Sequence, residues 1–271
     1  MAHFVIAPQW QGSGSARAMQ LIDGAEAIAA DLPASACTRL ELPVEAGESL
    51  DSGIRRASSL ARIRDLVRDA VASRTEPVVV IGGDCGVSLG ALEAVAAEDV
   101  ALVWLDAHAD LHTPESSPSG AFHGMVLRAA LGEGSDRLRL PPGALAAERV
   151  VLAGVRDIDD AERKFLDERA IRVVPPGDLA DPAALVTAVA ATGASRVYLH
   201  IDLDVFDPSV ITGLSFPVPF GPDAAAVISA VRAVRDRFPL VGATVAEFSP
   251  SPADAAIEDM PTILRLLGAV A

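Results

Sequence analysis

Eight short apolar runs recur along the chain, each separated from the next by a longer segment of mixed polarity. The runs are His3–Ala7, Thr38–Leu42, Pro77–Ile81, Val100–Leu105, Arg149–Ala153, Ile171–Val174, Arg196–Ile201 and Leu240–Ala246. They are near-continuous rather than alternating, which is how strands buried on both faces read. Between them lie Ala-rich segments with apolar residues at helical spacing: Ala16–Ala30, Arg56–Ser73, Val87–Ala97, Asp159–Arg169, Pro182–Thr192, Pro222–Phe238 and Ala253–Val270. Strand and helix in alternation predict an α/β fold. The expected form is a single-domain, three-layer αβα arrangement over residues 1–271, with a mostly parallel sheet. Leu111–Ala121 is the longest polar loop within this pattern. It follows a strand, where such folds place their chemistry.

Composition narrows the picture. Of the 271 residues 51% are apolar, enough for a sizeable core. The formal net charge of −15 repels phosphate backbones and argues against nucleic-acid partners. Part of that acidity could be functional, since clustered carboxylates can be neutralised by bound cations. Two cysteines, Cys37 and Cys85, do not make a disulfide framework in a chain of this size. No secretory signal is visible, and no apolar run reaches the ~20 residues needed to cross a bilayer. A soluble cytoplasmic protein without membrane contacts is the expectation.

Three acidic motifs each follow an apolar run: Gly82-Gly83-Asp84-Cys85, Asp106-Ala107-His108-Ala109-Asp110, and Asp202-Leu203-Asp204-Val205-Phe206-Asp207-Pro208. In an extended chain, residues at i, i+2 and i+4 point to one side. Asp106, His108 and Asp110 could converge on that basis, and Asp202 and Asp204 share the spacing. A single Asp at a strand end is commonly a helix cap or turn former. Two matched sets, one containing His, are much harder to explain as caps. Carboxylates with one imidazole suit Mn²⁺, and Mg²⁺ less well.

In order and spread these motifs resemble those of the ureohydrolase family (arginase, agmatinase, formimidoylglutamase), which read G-G-D-H, D-A-H-x-D and D-x-D-x-x-D-P. The resemblance runs from about Pro77 to the C-terminus. It implies a parallel sheet flanked by helices, the arginase/deacetylase-like fold. It implies two divalent ions, Mn²⁺ first, bridged by Asp106 and Asp202. His108 and Asp204 would complete one site, Asp110 and position 85 the other. A hydroxide bridging the metals would attack the guanidinium carbon, with Asp110 holding it by a hydrogen bond. His123 matches the family's proton-shuttle histidine and Glu247 the glutamate that holds the guanidinium. On residue type alone, His123 would pass for a surface histidine at a helix start, and Glu247 for a solvated strand-end charge. The family also implies a homo-oligomer, a trimer or hexamer.

The chain departs from the family at several points. Cys85 stands where relatives have His. It is read three ways: a thiolate ligand that tilts the site toward Zn²⁺, Co²⁺ or Fe²⁺, a neutral thiol that leaves the site weak, or a small buried hydrophobe. His112 and Ala121 stand where arginases usually have Asn, while Ser119 is retained. Asp159 matches the aspartate that binds a substrate α-amino group. Phe216 replaces a position in a usually Thr-containing A-T-G-T-P segment and would reshape the pocket. The leading expectation is therefore a metal-dependent hydrolase cleaving the C–N bond of a guanidino amino acid, releasing urea or a substituted urea. Hydrolysis of N-hydroxyarginine, agmatine or a formimino acid is the alternative, as is a catalytically weak or non-enzymatic protein of this fold. A zinc deacetylase fits less well, because no His-His pair is present.

Overall fold

The computed structural model describes residues 2–271. Each of the eight apolar runs contributes a strand, although Thr38–Leu42 contributes only Thr38 and Arg39: β1 (His3–Ala7), β2 (Cys37–Arg39), β3 (Val78–Gly82), β4 (Val100–Leu105), β5 (Val150–Ala153), β6 (Arg172–Val174), β7 (Arg196–Asp202) and β8 (Leu240–Ala246). They build one sheet in the order β2-β1-β3-β8-β7-β4-β5-β6. Every pairing in it is parallel.

The helices are α1 (Gln20–Ala30), α2 (Ala57–Ala72), α3 (Val87–Val95), α4 (Val126–Ala130), α5 (Asp160–Arg169), α6 (Pro182–Ala190), α7 (Ala224–Arg237) and α8 (Ala256–Val270). The expected helix at Ala16 begins only at Gln20, because residues 16–19 form turns. The five-residue α4 lies just after Leu111–Ala121 and is too short to show a helical period.

Alternation along the strands sorts side chains into two cores. Ala101, Val103 and Leu105 of β4 and Leu199 and Ile201 of β7 face α1, α6, α7 and α8. Leu102, Trp104 and Tyr198 face α2, α3, α4 and α5. Burial on both sides is the reason these strands carry no polar face.

The sheet order places the chemistry. Strands β3, β8, β7 and β4 are adjacent in the middle of the sheet. The segments at their carboxyl ends carry Cys85, Glu247, Asp202 with Asp204, and Asp106 to Asp110 respectively. Residues separated by 162 positions, Cys85 and Glu247, thereby become hydrogen-bonded neighbours. Carboxyl ends of parallel strands are the usual binding crevice of such sheets.

Asp84 fastens the rim of this crevice. It is fully buried and accepts hydrogen bonds from Gln9 Nε2 (2.7 Å), Gly12 N (2.8 Å) and Gly86 N (2.9 Å). Burial pushes its pKa up to about 6, against the pull of those three donors. Gly83 lets the loop pass, since a Cβ there would lie 1.6 Å from Gln9 O. Replacing Asp84 by Ala should leave buried donors unpaired, at roughly 1–3 kcal/mol each. The expected loss in a urea titration is about 3 kcal/mol; a loss below about 1 kcal/mol would show that the rim does not depend on this carboxylate.

Candidate metal centre

Backbone N–H groups aim Asp106, Asp202 and Asp204. Asp106 accepts from His108 N (2.6 Å) at Oδ1 and from Trp104 Nε1 (2.9 Å) at Oδ2. Asp202 Oδ1 accepts from Asp204 N (2.7 Å), and Asp204 Oδ1 accepts from Ala107 N (3.0 Å). His108 Nδ1 lies 3.0 Å from Asp204 Oδ2 and 3.4 Å from Asp106 Oδ1. The Cys85 thiol donates to Asp202 Oδ2 (3.1 Å), and Cys85 N donates to Glu247 Oε1 (3.1 Å).

Convergence does not come from an extended chain at i, i+2 and i+4, as the spacing predicted. Asp110 has φ +53 and Asp204 sits in a 3₁₀ turn, Leu203–Val205. Two sets of ligating atoms lie within 4.8 Å of one another: Cys85, Asp106, His200 and Asp202, and Asp106, His108 and Asp204. Asp106 belongs to both. Asp110 belongs to neither, and Asp202 to the first alone. His200 was not singled out from the sequence. Its signal was the period-2 parity that puts it on the face of Asp202 within β7.

The electrostatics are those of a cation site. Burial and then neighbouring carboxylates raise Asp202, Asp110 and Glu247 well above the carboxylate range, and burial and Asp202 raise the Cys85 thiol. Burial works against a charged His108, but the hydrogen bonds and charges of Asp106 and Asp204 outweigh it and raise its pKa. Asp110 Oδ2, Glu247 Oε2 and His200 Nε2 are buried without a hydrogen-bond partner among the described residues. Asp110 and Glu247 (φ +65) also hold left-handed backbone conformations that cost non-glycine residues roughly 1–3 kcal/mol. Strain and unpartnered oxygens on the same two residues fit a group that binds oxygen donors.

Beside this centre lies a cavity of about 220 Å³, lined by His108, Asp110, His112, Ser119, His123, Asp157, Asp159, Glu162 and Phe216. His108 is common to cavity and cluster, and Asp110 lines the cavity beside it. His123 is stacked on Phe216 with ring centroids 4.7 Å apart. Burial, followed by the His108 charge, lowers its pKa to about 4. His112 Nε2 pairs with Asp159 Oδ2 at 2.9 Å. Asp159 Oδ1 meanwhile caps α5, accepting from Ala161 N and Glu162 N. The Ser119 hydroxyl accepts from Ala121 N (3.1 Å). Asp157 and Glu162 are further cavity residues that the sequence reading missed; Glu162 is recognisable afterwards as the fourth residue of a D-x-x-E capping box. Glu247 is not on the cavity wall.

A parallel α/β sheet with an acidic, His-containing cluster at the ends of its central strands defines a class, and comparison with known proteins names the family. The chain belongs to the arginase family, whose sequence model matches residues 11–261. It is 34% identical over 196 residues to an arginase of Bacillus caldovelox, covering 66% of this chain and 65% of that protein. It is 35% identical over 181 residues to the N(omega)-hydroxy-L-arginine amidinohydrolase of Streptomyces lavendulae, covering 65% and 62%. The matched region thus spans somewhat less than two thirds of either relative's length. In three dimensions the Bacillus caldovelox arginase superposes with a TM-score of 0.86 at 27% identity, over 100% of this chain and 98% of that one. The Entamoeba histolytica arginase gives 0.88 at 22%, over 100% and 99%.

The raised pKa values set a sign for stability. Asp110, Asp202 and Glu247 keep their protons in the folded state where the unfolded chain has already lost them. The unfolded state then binds fewer protons, and stability of the metal-free protein falls as pH rises above about 4. Divalent cations favour the ionised carboxylates, so the rise in Tm on adding Mn²⁺ should be larger near about pH 8 than near about pH 5. An equal or larger rise at the acid end would contradict this assignment.

Proposed function

We propose that this protein is a metal-dependent hydrolase that cleaves the C–N bond of a guanidino amino acid, releasing urea or a substituted urea. The observation that carries the reading is the meeting of an acidic cavity with a carboxylate cluster through His108. A guanidinium is a cation, and the acidic side chains Asp157, Asp159 and Glu162 line the cavity.

Two divalent ions fit the donor set, because unpartnered buried oxygens and mutually repelling carboxylates are what a cation relieves. One would be held by Cys85, Asp106, Asp110 and Asp202, the other by Asp106, His108, Asp202 and Asp204. Mn²⁺ is the first candidate, with Zn²⁺, Co²⁺ or Fe²⁺ admitted by Cys85. When bound, such ions supply the charge that makes water nucleophilic near neutral pH.

The chain's own groups do the rest. Asp110, with Oδ2 free, accepts a hydrogen bond from the attacking water and orients it. Glu247, with Oε2 free, receives a guanidinium N–H. His123 is neutral at pH 7, given a pKa of about 4, so it first accepts a proton and then passes it to the leaving amine. His112 and Ser119 face the carboxylate end of the substrate and Asp159 its α-amino group. The substrate must compete with the 2.9 Å His112–Asp159 pair for that aspartate. Phe216 closes the wall behind His123.

A second reading is an N-hydroxyguanidino acid substrate, favoured by the 35% identity to the Streptomyces lavendulae enzyme. The family resemblance also carries a homo-trimer or hexamer and a cytoplasmic location, and light scattering would read the first.

A panel of arginine, N-hydroxyarginine, agmatine and formimino acids, assayed with Mn²⁺, Co²⁺ and Zn²⁺, tests the assignment. Turnover should be confined to guanidino or N-hydroxyguanidino amino acids and abolished by a chelator. Turnover of agmatine alone, or of none, would contradict it. His123→Ala should lower kcat by about 100-fold or more with a much smaller change in KM, the size expected for a lost proton carrier. An unchanged kcat would remove His123 from the reaction.

A further inference from the structure

His200 lies at the heart of the sheet, on β7 two residues before Asp202, and is fully buried. Its ring is fixed on two sides. It stacks on Trp104 with centroids 3.5 Å apart and an interplanar angle of 14°. Its Nδ1 is 2.7 Å from Ser88 Oγ on α3, three residues beyond Cys85. The other nitrogen, Nε2, is buried and has no hydrogen-bond partner among the described residues. A buried imidazole nitrogen left open in this way is costly unless something occupies its lone pair.

We propose that His200 is a metal ligand, supplying beside Cys85 the imidazole of the Cys85–Asp106–Asp202 site. The proposal rests on the metal-site reading above and adds to it a residue outside the three acidic motifs' expected ligands. A ligating atom from each of Cys85, Asp106, His200 and Asp202 lies within 4.8 Å of the others. Two donors on one ion can be no further apart than the sum of their bond lengths, about 4.4 Å for sulfur and nitrogen on zinc. The 4.8 Å span of the four groups lies close to that limit, so modest side-chain shifts would bring them onto one cation.

The surroundings suit a ligand rather than a core histidine. A ligating imidazole characteristically gives its second N–H to a fixed acceptor, which holds the tautomer and the ring plane. Ser88 Oγ, 2.7 Å from Nδ1, is placed to be that acceptor. Trp104, which stacks on the ring, also donates from Nε1 to Asp106 Oδ2 at 2.9 Å, so one side chain orients two members of the set.

The two sites become chemically unequal. Thiolate and imidazole make the Cys85 site the softer one, selective for Zn²⁺, Co²⁺ or Fe²⁺. Asp106, His108 and Asp204 keep the harder set that suits Mn²⁺.

The direct test uses the intact wild-type protein, labelled with ¹⁵N in its five histidines and loaded with ¹¹³Cd²⁺. Cadmium–nitrogen coupling is expected at two imidazoles, His108 and His200, and His200→Gln should erase one of the two. Coupling at one imidazole, assigned to His108 by His108→Gln, would overturn the proposal while leaving a metal centre in place. Failure to bind any cadmium, zinc or manganese would overturn the metal reading itself. As a second measure, Co²⁺ titration followed through the thiolate charge-transfer band should show His200→Gln weakening the Cys85 site by about 100-fold, since a ligand should matter at least as much as its supporting groups. An unchanged affinity in a variant whose far-UV circular dichroism matches the wild type would also overturn it.

Discussion

Like-charge repulsion is the constraint around which this structure is arranged. Asp106, Asp110, Asp202, Asp204 and Glu247 are all buried at the ends of three adjacent strands, β8, β7 and β4. Two carboxylates about 4 Å apart repel by about 4 kcal/mol at an effective dielectric near 20. Without cations the cluster answers this in two ways: the pKa values of Asp110, Asp202, Glu247 and the Cys85 thiol are driven upward, and the charges of Asp106 and Asp204 raise that of His108. Backbone N–H donors hold Asp106, Asp202 and Asp204, and one oxygen of Glu247. The residues whose oxygens are left free, Asp110 and Glu247, are also the ones in strained backbone conformations. A fold that spends stability on this arrangement is set up for divalent cations.

The sheet was legible because buried parallel strands need apolar side chains on both faces, and that leaves an unmistakable run such as Val100–Leu105. Helix ends were less legible. Residues 16–19 have helical composition but form turns before Gln20, and α4 has too few residues for a period to appear. The strand order, which brings Cys85 next to Glu247, depends on which strands later insert between β3 and β4, and local sequence carries no record of that.

Within the candidate site, the acidic motifs were legible and their geometry was not. A left-handed φ at Asp110 and a 3₁₀ turn at Asp204 replace the extended chain that the spacing suggested. Asp159 serves two partners at once, since one oxygen caps α5 while the other pairs with His112 at 2.9 Å. His200 was passed over because a histidine within an apolar strand reads as part of the core. Only the unpartnered Nε2, visible in three dimensions, sets it apart.

The central claim is that protons on buried acids stand in for divalent cations, and proton release on metal binding tests it most directly. Titration calorimetry of the metal-free protein with Mn²⁺ or Zn²⁺ near neutral pH, repeated in buffers of different ionisation enthalpy, gives the number of protons expelled. The account predicts a net release of at least about one proton per chain as the sites fill, because Asp110, Asp202, Glu247 and Cys85 must ionise. Saturable binding with no proton release, or no binding, would contradict it.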